Sequence, residues 1–95
     1  MEVNIEQEVR EFIAAYINIK LGLTAYQSRY IPNLILITIG RLDIQIQIYP
    51  HRLYIKIIDP YNRTYDEVIK HFNSYNDIED IIDEIFKFMK PSRMY

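Results

Sequence analysis

The sequence predicts an α+β fold: a three-stranded antiparallel meander with an N-terminal helix and one or two C-terminal helices packed on one of its faces. Three observations carry that expectation. Isoleucines recur at every second position, at Ile35, Ile37 and Ile39, then Ile44, Ile46 and Ile48, then Ile55 and Ile57. A period of two marks strands with one buried face. Apolar residues near both ends recur instead at helical spacing, and turn-forming residues separate the alternating runs where hairpins need them. The 95 residues suit one small domain, 1–95, with a core of limited size.

The first helix is expected over 5–21. Asn4 suits the N-cap, and Gln7 lies three places on, as a capping box requires. Ile5, Val9, Phe12, Ile13, Tyr16 and Ile17 form its apolar stripe, opposite Glu8, Glu11 and Asn18. Gly22 fits the left-handed position just past a helix end, with Leu23 placed for the apolar contact that often follows. Residues 23–32 read as a connector carrying Tyr26, Arg29 and Tyr30, in which Thr24 and Gln27 offer a single capped helical turn. Pro32 biases Ile31 toward extended backbone, so the first strand starts near Asn33.

Strands are expected over 33–39, 42–49 and 53–58, and the turns set their register. With Gly40-Arg41 as a two-residue loop, Ile39 faces Leu42, Ile37 faces Ile44 and Ile35 faces Ile46; glycine first is what a type II′ turn needs. With a second turn at Pro50-His51, Ile48 faces Leu53, Ile46 faces Ile55 and Ile44 faces Ile57. Both turns place every isoleucine ladder on one face, and a one-residue slip in either would set apolar against polar throughout. The opposite face then carries Leu34, Leu36 and Thr38, then Asp43, Gln45, Gln47 and Tyr49, then Arg52, Tyr54, Lys56 and Ile58.

Asp59-Pro60-Tyr61-Asn62 reads as a turn. In the segment 65–72, Tyr65, Val68, Ile69 and Phe72 sit at helical spacing and Thr64 with Glu67 makes a capping box, which favours a short helix. A fourth strand is the alternative. The closing helix is expected over 77–89, capped by Ser74 or Asn76, with Asp77, Glu79 and Asp80 at its positive dipole end. Ile78, Ile81, Ile82, Ile85 and Met89, widened by Phe86 and Phe88, make its buried stripe. Lys87 and Lys90 suit its C-terminal end, Pro91 stops it, and 92–95 form a loose tail.

Composition narrows the chemistry. A formal net charge of -2 exerts no strong pull on nucleic acid or membrane. The absence of cysteine removes disulfides, zinc–thiolate sites and thiol nucleophiles. No apolar run approaches the roughly 20 residues of a membrane span, and the N-terminus lacks a signal peptide's plan, so a cytoplasmic protein is expected. The Ile/Tyr-rich strands of Leu34–Ile58, the missing cysteine and the short acidic closing helix resemble, in composition and plan, the small α+β proteins of crenarchaeal viruses that infect Sulfolobales. That resemblance carries over no functional residue. It implies a viral accessory protein that binds a host or viral protein in the host cytoplasm.

Catalytic constellations are sparse. Ser28, Ser74 and Ser92 lie in connectors or the tail, outside any nucleophile-elbow context. His51 falls in a turn and His71 on the expected short helix, with no carboxylate pattern to build a zinc site. Two glycines, Gly22 and Gly40, cannot make a phosphate-cradling loop. Asp77, Asp80 and Glu84 share one helix face, for which a solvated surface outweighs a cation site. Asp43 with Gln45-Ile46-Gln47 approaches a nuclease hairpin, but Gln47 stands where the lysine belongs. The order helix, meander, helix also resembles a double-stranded-RNA-binding domain, yet Asn76-Asp77-Ile78-Glu79-Asp80 would repel the phosphates that such a helix grips. No enzyme, catalytic residue, metal or cofactor is expected.

Charge is distributed unevenly. Between Thr24 and Arg63 stand Arg29, Arg41, Arg52, Lys56 and Arg63 against Asp43 and Asp59, with acidic segments on both sides. Arginine and tyrosine are enriched in protein interfaces, and cations beside aromatics also suit stacked bases and phosphates. The expectation is a protein-interaction module, a homodimer formed through the second sheet face or the strand at 33–39. Its surface would be Leu34, Leu36, Gln45, Gln47, Tyr49, Arg52, Tyr54 and Lys56. The alternative is a nucleic-acid-binding module using the same face.

Overall fold

Two turns of fixed chemistry organise the molecule. Gly40 adopts φ of +59° and Arg41 keeps a negative φ, as a type II′ turn requires. Pro50 leads the next turn, and His51 takes φ of +63°, the pattern of a type II turn. The computed structural model describes residues 5–59, 61 and 63–89. In chain order these form α1 (Ile5–Lys20), β1 (Ala25–Gln27), β2 (Leu34–Ile39), β3 (Leu42–Tyr49), β4 (Arg52–Ile58), β5 (Thr64–His71) and α2 (Tyr75–Met89). All five strands pair antiparallel in the order β1-β2-β3-β4-β5.

The register of the central hairpins is the one the turns dictate. Ile35 faces Ile46, Ile37 faces Ile44 and Ile39 faces Leu42. Across the next pair, Ile44 faces Ile57, Ile46 faces Ile55 and Ile48 faces Leu53. One face thereby becomes a continuous apolar sheet, closed by Val9, Ile13, Ala14 and Ile17 of α1 and by Ile78, Ile81, Ile82 and Phe86 of α2. Burying an isoleucine side chain is worth roughly 1.5–3 kcal/mol, so this layer holds most of the folding free energy.

Two expectations need correction. Among the described residues the meander has five strands, not three or four. The segment 65–72, favoured as a helix, takes the strand alternative, with 65–71 in β5: the exposed edge of β4 offers a backbone ladder from Arg52↔His71 to Ile58↔Thr64, with a bulge at Ile57/Ile58. The turn before β5 holds that ladder in place. Asp59 accepts the amides of Tyr61 (2.9 Å) and Arg63 (3.0 Å) on Oδ1, and the Arg63 guanidinium on Oδ2 at 3.1 Å. The Arg63 amide, with the Tyr61 amide and the guanidinium, holds this carboxyl below its ordinary value. The same strand moves His71 off a helix and onto a sheet edge. Among the described residues one helix, α2, follows the sheet.

The connector at 23–32 contains the other unexpected strand. α1 pins it from above: Asn18 Oδ1 accepts the Ala25 amide at 2.8 Å, and Arg10 Nη1 donates to the carbonyls of Ser28 (2.9 Å) and Ile31 (3.2 Å). Held there, Ala25, Tyr26 and Gln27 pair with Ile37, Leu36 and Ile35. The strand of Leu34–Ile39, one of the two places expected for dimer contact, is therefore interior, paired with β1 on one side and β3 on the other.

The helix ends follow sequence chemistry. Gly22 has φ of +68°, and the Leu23 amide donates to the Ile17 carbonyl at 3.2 Å. Ser74, rather than Asn76, caps α2: its Oγ accepts the Asp77 amide at 3.1 Å, while Asp77 Oδ2 accepts the Asn73 amide at 2.8 Å. The two helices are joined by Tyr16, whose phenol donates to Asp83 at 2.7 Å, and by the Phe12 and Tyr75 rings, 4.5 Å between centroids. The Asn4 cap, Pro60 and Asn62 of the turn, Lys90, Pro91 and the tail 92–95 lie outside the described residues, as do the side chains of Ile5, Tyr65, Phe88 and Met89.

Candidate interaction surface

Helices cover one face of the sheet, and among the described residues no layer covers the other. The pairing register arranges that second face in cross-strand rows. Tyr26, Leu36, Gln45, Lys56 and Glu67 form the longest row. Beside it run Leu34, Gln47, Tyr54 and Ile69, and at one end Tyr49, Arg52 and His71. Seven of the eight residues expected at the surface lie here at least partly exposed. Leu34 departs from that expectation: it lies on this face by register, yet only 9% of it is exposed.

Two residues that the sequence reading did not assign to the surface belong to it. Tyr26 is 64% exposed and Ile69 is 56% exposed, against 37% for Leu36. Both sit on strands that the alternating pattern does not announce, so their face could not be derived. With Leu36 and Tyr54 they make a discontinuous apolar and aromatic band crossing the sheet from β1 to β5.

The polar groups of this face are largely engaged with one another. The Arg52 guanidinium carbon lies 5.5 Å from the Tyr49 ring centroid, and the Lys56 ammonium 6.0 Å from that of Tyr54. The Tyr54 phenol donates to Glu67 Oε1 at 2.6 Å. That bond to a carboxylate raises the phenol above its ordinary value of 10.0, because losing the proton would set two anions side by side. Thr38 Oγ1 donates to Asp43 at 2.9 Å. Glu67 thus stands directly opposite Lys56, whereas Arg52 has Tyr49 and His71 as its cross-strand neighbours and Asp43 lies at the other end of the face.

No protein-family model matches this chain, and no curated protein or solved structure matches it either. The site therefore has to be read from its own chemistry.

A second concavity lies on the helix side, a groove of about 450 Å³ between α2 and the ends of β2–β5. Ile39, Leu42, Ile57, Val68 and Ile85 line it, and Lys70 faces Glu84 across its mouth at 3.9 Å. The carboxylates of α2 do not converge: Asp77 serves the helix cap, Asp83 accepts Tyr16, and Glu84 faces Lys70. Among the described residues no three His, Asp or Glu side chains stand together as a metal site. No described helix is long and apolar enough to cross a membrane.

Proposed function

We propose that the chain is a non-enzymatic protein-interaction module that works as a homodimer, with the uncovered sheet face as its binding surface. The observation that carries this reading is the asymmetry of the sheet. One face is sealed by two helices, while the other presents Tyr26, Leu36, Tyr54 and Ile69 in a band rimmed by polar groups of both signs. Exposed apolar patches with polar rims mark protein contacts, and tyrosine and arginine serve such contacts well. The resemblance to crenarchaeal viral proteins would make the partner a host or viral protein met in the cytoplasm.

The experiment has two arms. Sedimentation at micromolar concentration gives a dimer mass, and a monomer would remove the homodimer. Affinity capture with the intact chain and with Leu36→Asp then retains a protein only on the former; equal recovery on both would remove the face as the binding surface.

A second reading, nucleic acid bound through Tyr49, Arg52, Tyr54 and Lys56, draws on the two cation–aromatic pairs. It is weakened by Glu67, which β5 sets directly opposite Lys56. Few net cations mean weak, salt-sensitive binding. Oligonucleotide affinity unchanged by removing Arg52 and Lys56 together would eliminate it.

A further inference from the structure

The two edges of the sheet differ. β1 is three residues long, whereas β5 runs eight residues, and among the described residues no strand pairs with its outer side. In an antiparallel ladder, residues alternate between bonding inward and pointing outward. The Phe72 amide donates inward to the His51 carbonyl at 2.9 Å, so the pairs Leu53↔Lys70 and Ile55↔Val68 bond inward as well. Glu67, Ile69 and His71 then direct both N–H and C=O away from β4. These outward groups are a template for another strand.

We infer that this edge is the dimer contact: β5 pairs antiparallel with β5 of a second copy, centred on Ile69. The inference rests on the homodimer reading above and names the contact that makes it. A two-fold axis perpendicular to the sheet keeps each face on its own side, so only residues of the same face can come opposite one another.

The charges on β5 then discriminate among the possible centres. Centring on Asp66, Glu67 or Lys70 sets like charges face to face, which is destabilising. Centring on Val68 places the apolar Ile69 against a Glu67 carboxylate. Centring on His71 pairs only the strand's end. Centring on Ile69 brings the two exposed isoleucines together and sets Glu67 opposite His71 on both sides of the axis; on the helix side Val68 then faces Lys70, whose ammonium already reaches Glu84 at 3.9 Å. Edge charges that ordinarily repel any strand here select one register.

Glu67 supplies a further detail. In the single chain its outward amide is held by its neighbour, the Asp66 carboxylate, at 2.9 Å. In the dimer that amide passes to the partner's His71 carbonyl, and Asp66 is released to solvent. Pairing joins two five-stranded sheets into one and leaves both open faces free to bind.

Cysteine crosslinking and a proline substitution test the contact. The chain has no cysteine, so Ile69→Cys introduces the sole thiol. Residues opposite one another in a hydrogen-bonded pair have Cα atoms about 5.5 Å apart, within disulfide reach. Mild oxidation of Ile69→Cys gives a covalent dimer, whereas Leu36→Cys gives none. Ile69→Pro removes one outward N–H but no bond to β4, and its sedimentation mass falls to that of a monomer with the circular dichroism spectrum retained. A native dimer that persists in Ile69→Pro, or that crosslinks through Leu36→Cys and not Ile69→Cys, overturns the edge contact while leaving the homodimer standing. A native monomer overturns both.

Discussion

The two faces of this sheet are built from the same strands and follow opposite rules. On the helix side, Ile35, Ile44, Ile46 and Ile48 are fully enclosed. On the other side, every second residue of the same strands except Leu34 is polar, aromatic or partly exposed. Each face has a tyrosine bonded to a carboxylate: Tyr16 to Asp83 in the helix layer, and Tyr54 to Glu67 on the open sheet. The difference teaches where stability and recognition are kept. A side chain that has spent its contacts on the core cannot greet a partner, and alternation gives each strand one set for each task.

The sharpest way to break this comparison is to truncate neighbours of opposite parity. Ile46→Ala should cost about 2–5 kcal/mol, the range for deleting a fully enclosed side chain and leaving a cavity. Gln47→Ala, one residue on and facing the other way, should change stability by no more than about 0.5 kcal/mol. Paired urea denaturation curves measure both, and equal losses would mean that the open face is also structural.

A smaller effect tests how the helix layer is closed. Ser74→Ala should cost about 1 kcal/mol by removing the cap of α2, read from the same curves. Tyr16→Phe should cost less, under about 1 kcal/mol, because the bond to Asp83 is largely exposed to water.

The Tyr16 phenol also gives the layer a pH signature. Bonding to Asp83 pushes it up from 10.0 to about 12. A group whose folded value is raised stabilises fully below its unfolded value and loses that contribution as pH rises through the folded one. Stability attributable to Tyr16 should therefore decline between pH 10 and about 12, and Tyr16→Phe should flatten that part of the profile in alkaline thermal melts. A decline of the same size in both proteins would place its origin elsewhere, with Tyr54 the first alternative.

The smallest expected change is a gain. His51 holds a left-handed φ, which costs a non-glycine residue about 1–2 kcal/mol. His51→Gly relieves that strain but loses backbone entropy, for a net gain of about 0.5 kcal/mol, measurable as a raised thermal midpoint. An unchanged midpoint would show that the His51 ring, 6.2 Å from that of Phe72, offsets the strain.

How far this architecture can be read from the chain depends on which strands have partners on both sides. β2, β3 and β4 were legible because Gly40 and Pro50 fix their turns and their isoleucines keep period two. β5 was not, because Tyr65, Val68, Ile69 and Phe72 happen to fall at helical spacing while an edge strand needs no enclosed set. β1 is too short for any period, and its pairing depends on Asn18 and Arg10 reaching down from α1. The candidate surface shared this fate: its central residues followed from parity, whereas Tyr26 and Ile69 were hidden with their strands. The buried state of Leu34 is a tertiary property that parity alone does not encode.

One consequence follows from the order of the strands. Every strand pairs with its nearest neighbour in the sequence, so each hairpin closes a short loop. The bond from Tyr16 to Asp83 spans 67 residues. Low sequence separation favours rapid folding. The β3–β4 hairpin should therefore be formed in the folding transition state, with φ-values near 1 at Ile46 and Ile55, while Tyr16 shows values near 0. The helices would then arrive last, as a lid lowered onto a sheet already assembled.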